Sequence, residues 1–150
     1  MKQIIREQYR AKVDQLIGLK DITRPKEGWI RSFRKALGMS GPQLAIRLGV
    51  SKAQASQMER MELEDHITIK QLRRVANALD CQLVYALIPR KPVAEIVRER
   101  AQLKAKQLVR KADVQMALEA QQVSSKQLAV QIEMEVDRLL REMPRDLWED

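Results

Sequence analysis

The sequence predicts an all-α protein, because its composition favours helices and its apolar residues recur with helical spacing. Of 150 residues, only 5 are glycine, 5 are proline and 3% are aromatic, whereas leucine, alanine, glutamine, arginine and lysine are abundant. These are good helix formers, and aromatic residues are typical of strands. Apolar residues three and four positions apart recur through most of the chain. We therefore expect a helical bundle with one short β-strand and a C-terminal helical extension.

Composition also excludes several classes of protein. No apolar run approaches the 18 or so residues that a membrane-spanning helix needs, and the N-terminal residues lack the apolar core of a signal peptide. Cys81 is the single cysteine, so an internal disulfide framework is excluded and a reducing cytoplasm is expected. The single histidine, His66, has no spaced partner for a metal site, and no glycine-rich phosphate loop is present. We expect neither an enzyme nor a cofactor.

The charge is distributed unevenly along the chain. The net charge is +8, with +13 in residues 1–111 and −5 in residues 112–150. A strongly basic body indicates an anionic partner, of which nucleic acid is the commonest. The acidic tail then has three interpretations: a solvated helix surface, an arm that docks on a basic partner, or an autoinhibitory segment that folds over the basic groove.

The chain opens with a predicted amphipathic helix over residues 3–19, whose apolar positions Ile5, Tyr9 and Val13 lie on one face. Pro25 and Gly28 then mark a linker or turn. The composition predicts three segments: residues 1–24 as helix and linker, 25–91 as a domain with a terminal strand, and 92–150 as a helical arm.

Four helices are predicted inside the middle segment, at residues 29–37, 41–48, 52–60 and 68–79. Ser40 and Ser51 are suitable N-caps, and Pro42 lies in a first turn, where its missing N–H costs little. Gly38 and Gly49 follow two of the helices, as glycine commonly does. Ala55 and Met58 are expected to face the core.

Residues 81–88 are apolar and β-branched enough for one strand, which Pro89 would end. A lone strand cannot satisfy its own backbone and needs a neighbour. Because no other strand candidate exists, the same strand of a second copy is the simplest partner, and a homodimer is expected. We interpret Cys81 as a small core residue rather than a nucleophile.

The C-terminal segment is predicted to hold two helices. The first runs from Pro92 to about Ala120 with an alanine-rich apolar stripe, and the sequence around Val123 breaks it. The second carries Val136 and Leu139 on its apolar face.

The most informative stretch is residues 40–60, where Gly49, Val50 and Ser51 join two short helices. The small side chain of Ala45 allows the two helices to cross closely, and Gly49 tolerates a positive φ at the turn. Val50 fills the angle between the helices. These are the physical requirements of a helix-turn-helix.

These residues resemble the Cro/CI-repressor, or XRE-type, helix-turn-helix family. The agreement covers ten positions: Ser40, Leu44, Ala45, Leu48, Gly49, Val50, Ser51, Ser56, Met58 and Glu59. The resemblance implies a lambda-repressor-like bundle that binds double-stranded DNA and regulates transcription. One departure is that the glycine expected after the second helix is missing, and the chain has Arg60, Met61 and Glu62 there.

The resemblance also implies roles for individual residues. Bases in the major groove would be contacted by Lys52, Ala53, Gln54 and Gln57. Phosphates would be contacted by Ser40, Gln43, Arg47 and Ser51. A basic rim would be formed by Arg31, Arg34 and Lys35. For each charged residue taken singly, a solvated surface charge is an equally good interpretation.

A wider resemblance involves Pro25, Gly28–Arg31 and Ala36–Ser40, which are similar to the mobile mystery protein A family. It implies an autorepressor in a toxin–antitoxin-like operon, encoded beside a Fic-domain protein. The alternative function is an antitoxin that binds and neutralises that Fic-domain partner. Thr23, Glu27 and Gly28 also fit the string of Fic-inhibiting helices, but Pro25 would interrupt such a helix. A simple turn before Trp29 is the competing interpretation.

Overall fold

A computed structural model describes the backbone of residues 1–118 and 124–150, and the side chains of those residues other than 116–118. The described helices are α1 (Lys2–Asp14), α2 (Trp29–Ala36), α3 (Gly41–Leu48), α4 (Lys52–Leu63), α5 (Ile69–Ala78), α6 (Val93–Leu118) and α7 (Ser125–Glu142). Short 3₁₀ turns lie at Gln15–Leu19 and Arg145–Trp148. The all-helical prediction is confirmed for this part of the chain.

The helices form two compact units. The middle unit is Lys20–Ala86, and the outer unit combines Met1–Leu19 with Leu87–Asp150. Thus α1 packs in the same unit as α6 and α7, although the two segments are far apart in sequence. The predicted three-segment division at residues 24 and 91 stays a prediction.

The middle unit is built from α2–α5 around a small apolar core. That core consists of Ile30, Leu44, Leu48, Met58, Val75 and Leu79. Three of its helices begin with a Ser or Thr whose hydroxyl accepts a hydrogen bond from the backbone N–H of a glutamine three residues later. The side chain of that glutamine in turn accepts a hydrogen bond from the backbone N–H of the Ser or Thr. This reciprocal arrangement confirms Ser40 and Ser51 as N-caps and adds Thr68.

The ends of these helices show where sequence signals suffice and where they do not. Gly49 ends α3 in the left-handed region at φ 68°, as predicted. In contrast, α4 continues three residues past the predicted end at Arg60. Arg60, Met61 and Glu62 are all good helix formers, and no glycine is present to stop the helix there.

The predicted strand at residues 81–88 is wrong, since the described part of the chain contains no strand. The backbone N–H of Cys81 donates to the Ala76 carbonyl at 2.9 Å, which ends α5. Beyond it, no backbone group of residues 82–88 bonds to another described residue. A strand requires a hydrogen-bonded neighbour, and the single described chain offers none. We call residues 82–88 the apolar segment.

The outer unit is held together mainly by α6 and α7. Its core consists of Val97, Ala101, Ala105, Val136, Leu139 and Leu147. Ala101 and Ala105, which belong to the alanine-rich stripe of the sequence, are fully buried in this core. The predicted end of the first arm helix near Ala120 and the break at Val123 lie outside the described residues.

Polar contacts complete the outer unit. The Arg100 side chain, which is 11% exposed, donates to the carbonyls of Leu147 and Glu149 at 2.6 Å each and lies 6.0 Å from the ring centre of Trp148. These bonds fix the C-terminal 3₁₀ turn, which buries Leu147. Asp14 at the end of α1 accepts a hydrogen bond from the N–H of Val93 at 2.9 Å and so caps α6.

The apolar face predicted for the first helix is not buried. Ile5, Tyr9 and Val13 are 45%, 65% and 38% exposed, whereas Arg6 and Arg10 on another face of α1 are half-buried. In the described residues, no helix combines the length and apolar character needed to cross a membrane.

Candidate nucleic-acid interface

The candidate interface is built on α3, α4 and the turn between them. Val50 at the turn donates its N–H to the Ala45 carbonyl at 3.0 Å, which closes the end of α3. Ala45 and Ala55 are 3% and 2% exposed, so each helix presents a small buried side chain at the crossing. Ser51 then caps α4 immediately after the turn. The geometry holds the first turn of α4 at the surface.

The four predicted base-contact residues are all exposed on α4, as the sequence pattern implies. They are Lys52, Ala53, Gln54 and Gln57. Ala55 and Met58 are buried on the other side of the same helix. The exposed part of α4 therefore combines a cation, a methyl group and two amides, which are groups that distinguish base edges in a major groove.

Two glutamines in this region have a structural bond as well as an exposed amide. The Gln54 side-chain carbonyl accepts from the backbone N–H of Ser51 at 2.9 Å, and Gln43 does the same for Ser40 at 2.8 Å. An amide oxygen has two lone pairs, and the amide NH₂ keeps both donors. Each glutamine is thus held in a fixed orientation while it retains groups for a ligand.

The predicted phosphate-contact residues are also exposed, and hydrogen bonds hold each of them. The hydroxyls of Ser40 and Ser51 accept from backbone N–H groups and retain their own O–H donors. The Nε of Arg47 donates to the Ala78 carbonyl at 2.7 Å, which leaves its terminal nitrogens as donors. Ser40, Gln43 and Ser51 lie at helix N-termini, where free backbone N–H groups favour anions, whereas Arg47 lies in the last turn of α3.

Ion pairs inside the middle unit occupy several of its carboxylates. Three of its carboxylates are paired with cations, in Glu27 with Lys35, Glu59 with Arg34, and Asp65 with Arg24, at 2.5, 2.6 and 2.8 Å. The hydrogen bond from Lys35 lowers the pKa of Glu27 below its usual value. In the residues that the structure covers, neither Arg47 nor Lys52 has a carboxylate within 4.0 Å. Their charge is therefore available to an anion.

The predicted basic rim divides into two parts. Arg31 and Lys35 are half-exposed and share Glu27. Arg34 points into the unit instead, where its side chain is 12% exposed, donates to Glu59 at 2.6 Å and also donates to the Met39 carbonyl at 2.9 Å. Arg34 thus links α2 to α4, because a buried guanidinium needs an anionic partner.

Glu62 has a role that sequence reasoning did not detect. Its carboxylate is 5% exposed and accepts from the backbone N–H groups of Trp29 and Ile30 at 2.8 Å each. It therefore caps the N-terminus of α2 from the end of α4. Gly28 precedes α2 at φ 85°, and a Cβ there would lie 2.8 Å from the Glu62 carboxylate. Only glycine fits beside this cap.

A signal for Glu62 is present in the sequence. Gly28 has no side chain with which to cap α2, and no Ser, Thr, Asp or Asn stands beside it. The first N–H groups of α2 therefore require an acceptor from another part of the chain. Arg24 adds to the same arrangement by donating to the Glu62 carbonyl at 2.8 Å.

Comparison with known families identifies this segment. Residues 30–85 match the helix-turn-helix family model. The matched model is that of the XRE-type helix-turn-helix. No curated protein and no solved structure matches the chain. The helix-turn-helix domain supports a DNA-binding regulator and spans α2–α5 with the start of the apolar segment.

The cap on α2 leads to a stability prediction. Glu62→Ala should lower the free energy of unfolding by about 2–3 kcal/mol, because two buried N–H groups lose their acceptor. Glu64→Ala is the matched control, since its side chain is 54% exposed, and it should change that free energy by less than about 0.5 kcal/mol. Urea unfolding followed by circular dichroism measures both. Equal losses in the two variants would contradict the cap.

Proposed function

We propose that the chain is a sequence-specific DNA-binding transcriptional regulator that inserts α4 into the major groove. One observation carries this proposal: α4 exposes Lys52, Ala53, Gln54 and Gln57 while Ala55 and Met58 fix its other side in the core. Contacts from Glu59 and Glu62 to α2 hold the helix in place. A rigid helix with an exposed polar surface is what direct base reading requires.

The chemistry of the exposed groups suggests how bases are read. Lys52 can donate to guanine O6 and N7, and the amides of Gln54 and Gln57 can bond to the adenine edge. The Ala53 methyl suits contact with a thymine methyl group. Phosphates on either side would be bound by Ser40, Gln43, Arg47 and Ser51. Such contacts position the domain without specifying sequence.

We further propose that the regulator acts as a homodimer in the cytoplasm and represses its own promoter. One helix-turn-helix reads only a few base pairs, and a two-fold dimer reads two half-sites about 34 Å apart or a multiple of that distance. The resemblance to mobile mystery protein A supports the autorepressor role and the toxin–antitoxin-like operon. The net charge of +8 is consistent with binding that weakens steeply as salt rises.

The base-contact proposal is tested with one glutamine. Gln57→Ala should relax the base preference at one operator position by about 1–3 kcal/mol, since an amide contact to a base edge is lost. The operator is first selected from random DNA by the unaltered protein, and affinities are then measured for each base at each position.

Gln107→Ala is the control for this experiment, because Gln107 is exposed on α6 in the other unit. It should leave affinity and preference unchanged. If Gln57→Ala keeps the full preference at every position, α4 does not read bases in the proposed register.

The second candidate function is an antitoxin that binds and neutralises a Fic-domain partner. The exposed apolar face of α1, with Ile5, Tyr9 and Val13, favours a protein-binding role for the outer unit. The Thr23–Gly28 string does not add support. Residues 22–25 have no regular structure and Glu27 lies in a turn, where its carboxylate pairs with Lys35.

A charge placed on α1 tests this second candidate. Tyr9→Glu should abolish co-purification of the adjacently encoded Fic-domain protein, because a carboxylate would be buried in an apolar contact. Val130→Glu is the control, since Val130 is 57% exposed on α7, and it should retain the partner. Retention of the partner by both variants would exclude α1 as the binding surface.

A further inference from the structure

Two arginines of the helix-turn-helix domain bind the ends of each other's helices. The Nε of Arg47 on α3 donates to the carbonyl of Ala78, the last residue of α5, at 2.7 Å. A terminal nitrogen of Arg74 on α5 donates to the carbonyl of Leu48, the last residue of α3, at 2.6 Å. The last carbonyls of a helix have no partner within it, so each guanidinium satisfies one of them. The two bonds hold both guanidinium groups at the contact between α3 and α5.

These bonds use a small part of what the two side chains offer. A guanidinium carries five N–H donors, so Arg47 keeps both terminal nitrogens and Arg74 keeps its Nε and its other terminal nitrogen. Within residues 1–115 and 124–150, no carboxylate lies within 4.0 Å of either arginine. Helix capping therefore does not account for the two charges or for the remaining donors.

A cavity of about 500 Å³ opens between the two arginines. Its lining residues are Arg47, Leu48, Arg74, Asn77 and Ala78. Asn77 follows Arg74 by three residues on α5, and its exposed amide adds a neutral donor. The cavity thus combines two cations with an amide, and its lining contains no acidic side chain.

This set of groups matches the chemistry of a phosphate. A guanidinium binds phosphate oxygens through parallel N–H donors, and such charge-assisted bonds are the strong ones. Donors that are already held in place lose less conformational freedom on binding. Two positive charges also suit a phosphate better than a carboxylate, which a single guanidinium can neutralise.

We propose that Arg47, Arg74 and Asn77 form a phosphate-binding site at the contact between α3 and α5. The site lies at the C-terminal end of α3, whereas the predicted phosphate contacts Ser40 and Gln43 lie at its N-terminal end. The phosphate belongs either to the DNA backbone or to a phosphorylated small molecule. With the first source the inference rests on the proposed function and adds Arg74 and Asn77 to its contacts. With the second source it is independent of that function.

The first arm of the test titrates inorganic phosphate into the ¹⁵N-labelled full chain without DNA, at constant ionic strength. The Nε–H signals of Arg47 and Arg74 and the side-chain amide of Asn77 should shift and saturate, because these groups bind the anion. The Nε–H of Arg73 is the internal control. It should not shift, since Arg73 lines a neighbouring cavity with Asp80.

Arg74→Gln should weaken phosphate binding about tenfold or more, because a charged donor is lost. Arg73→Gln is the matched control, since it removes the same charge one position away on the same helix, and it should keep the phosphate dissociation constant within about twofold.

The second arm identifies the source of the phosphate. Operator affinity is measured against salt concentration for the wild type and the same two variants. If DNA supplies the phosphate, Arg74→Gln should reduce the slope of log K against log salt by about 0.9, which is the value for one phosphate. An unchanged slope together with saturable phosphate binding assigns the site to a small molecule.

Asn77→Asp is the second variant and is used if Arg74→Gln fails to fold, as judged by circular dichroism. It leaves both carbonyl bonds in place and puts a carboxylate in the cavity, so phosphate binding should be lost.

The proposal is overturned if phosphate shifts none of the three signals and the salt slope is the same with and without Arg74. It is also overturned if Arg73→Gln reproduces the effects of Arg74→Gln, since overall charge then explains them. A chain that binds phosphate in the first arm but selects no operator contradicts only the proposed function.

Discussion

The position of α4 depends on two carboxylates at its C-terminal half. Glu62 accepts both of the first N–H groups of α2, and Glu59 pairs with the guanidinium of Arg34 on the same helix. Both carboxylates are therefore bonded to groups of α2. They hold α4 in position, and they place no negative charge at the exposed N-terminal turn of that helix. Lys52 and the two glutamines then face outward from a helix whose other side is buried. The same two carboxylates thus support α4 and lie away from the charge of Lys52.

The helices, their starts and the helix-turn-helix were predictable because their signals are local. Ser40 and Ser51 act on residues three positions away, and Gly49 needs only its own backbone conformation. Ala55 and Met58 follow from helical spacing. The exposure of the candidate base-contact residues follows from the same spacing, since a helix with one buried side must show the other.

Apart from the end of α4, the features that the sequence did not predict depend on partners distant in the chain. Arg34 was predicted to lie on the basic rim, but its side chain points into the domain and pairs with Glu59. Glu62 acts across more than thirty residues, and the apolar segment has strand-like composition without a neighbour in the single chain. The apolar face of α1 is similar: periodicity defines the face but not what covers it. Each of these outcomes requires knowledge of packing rather than of local pattern.

The most direct measurement of the central claim is amide chemical-shift mapping of the ¹⁵N-labelled protein with a DNA duplex selected from a random pool. The account predicts that the largest shifts fall on residues 51–57 and on the start of α3, with side-chain amide shifts at Gln54 and Gln57. Shifts confined to α6 and α7, with α4 unchanged at saturation, would contradict it.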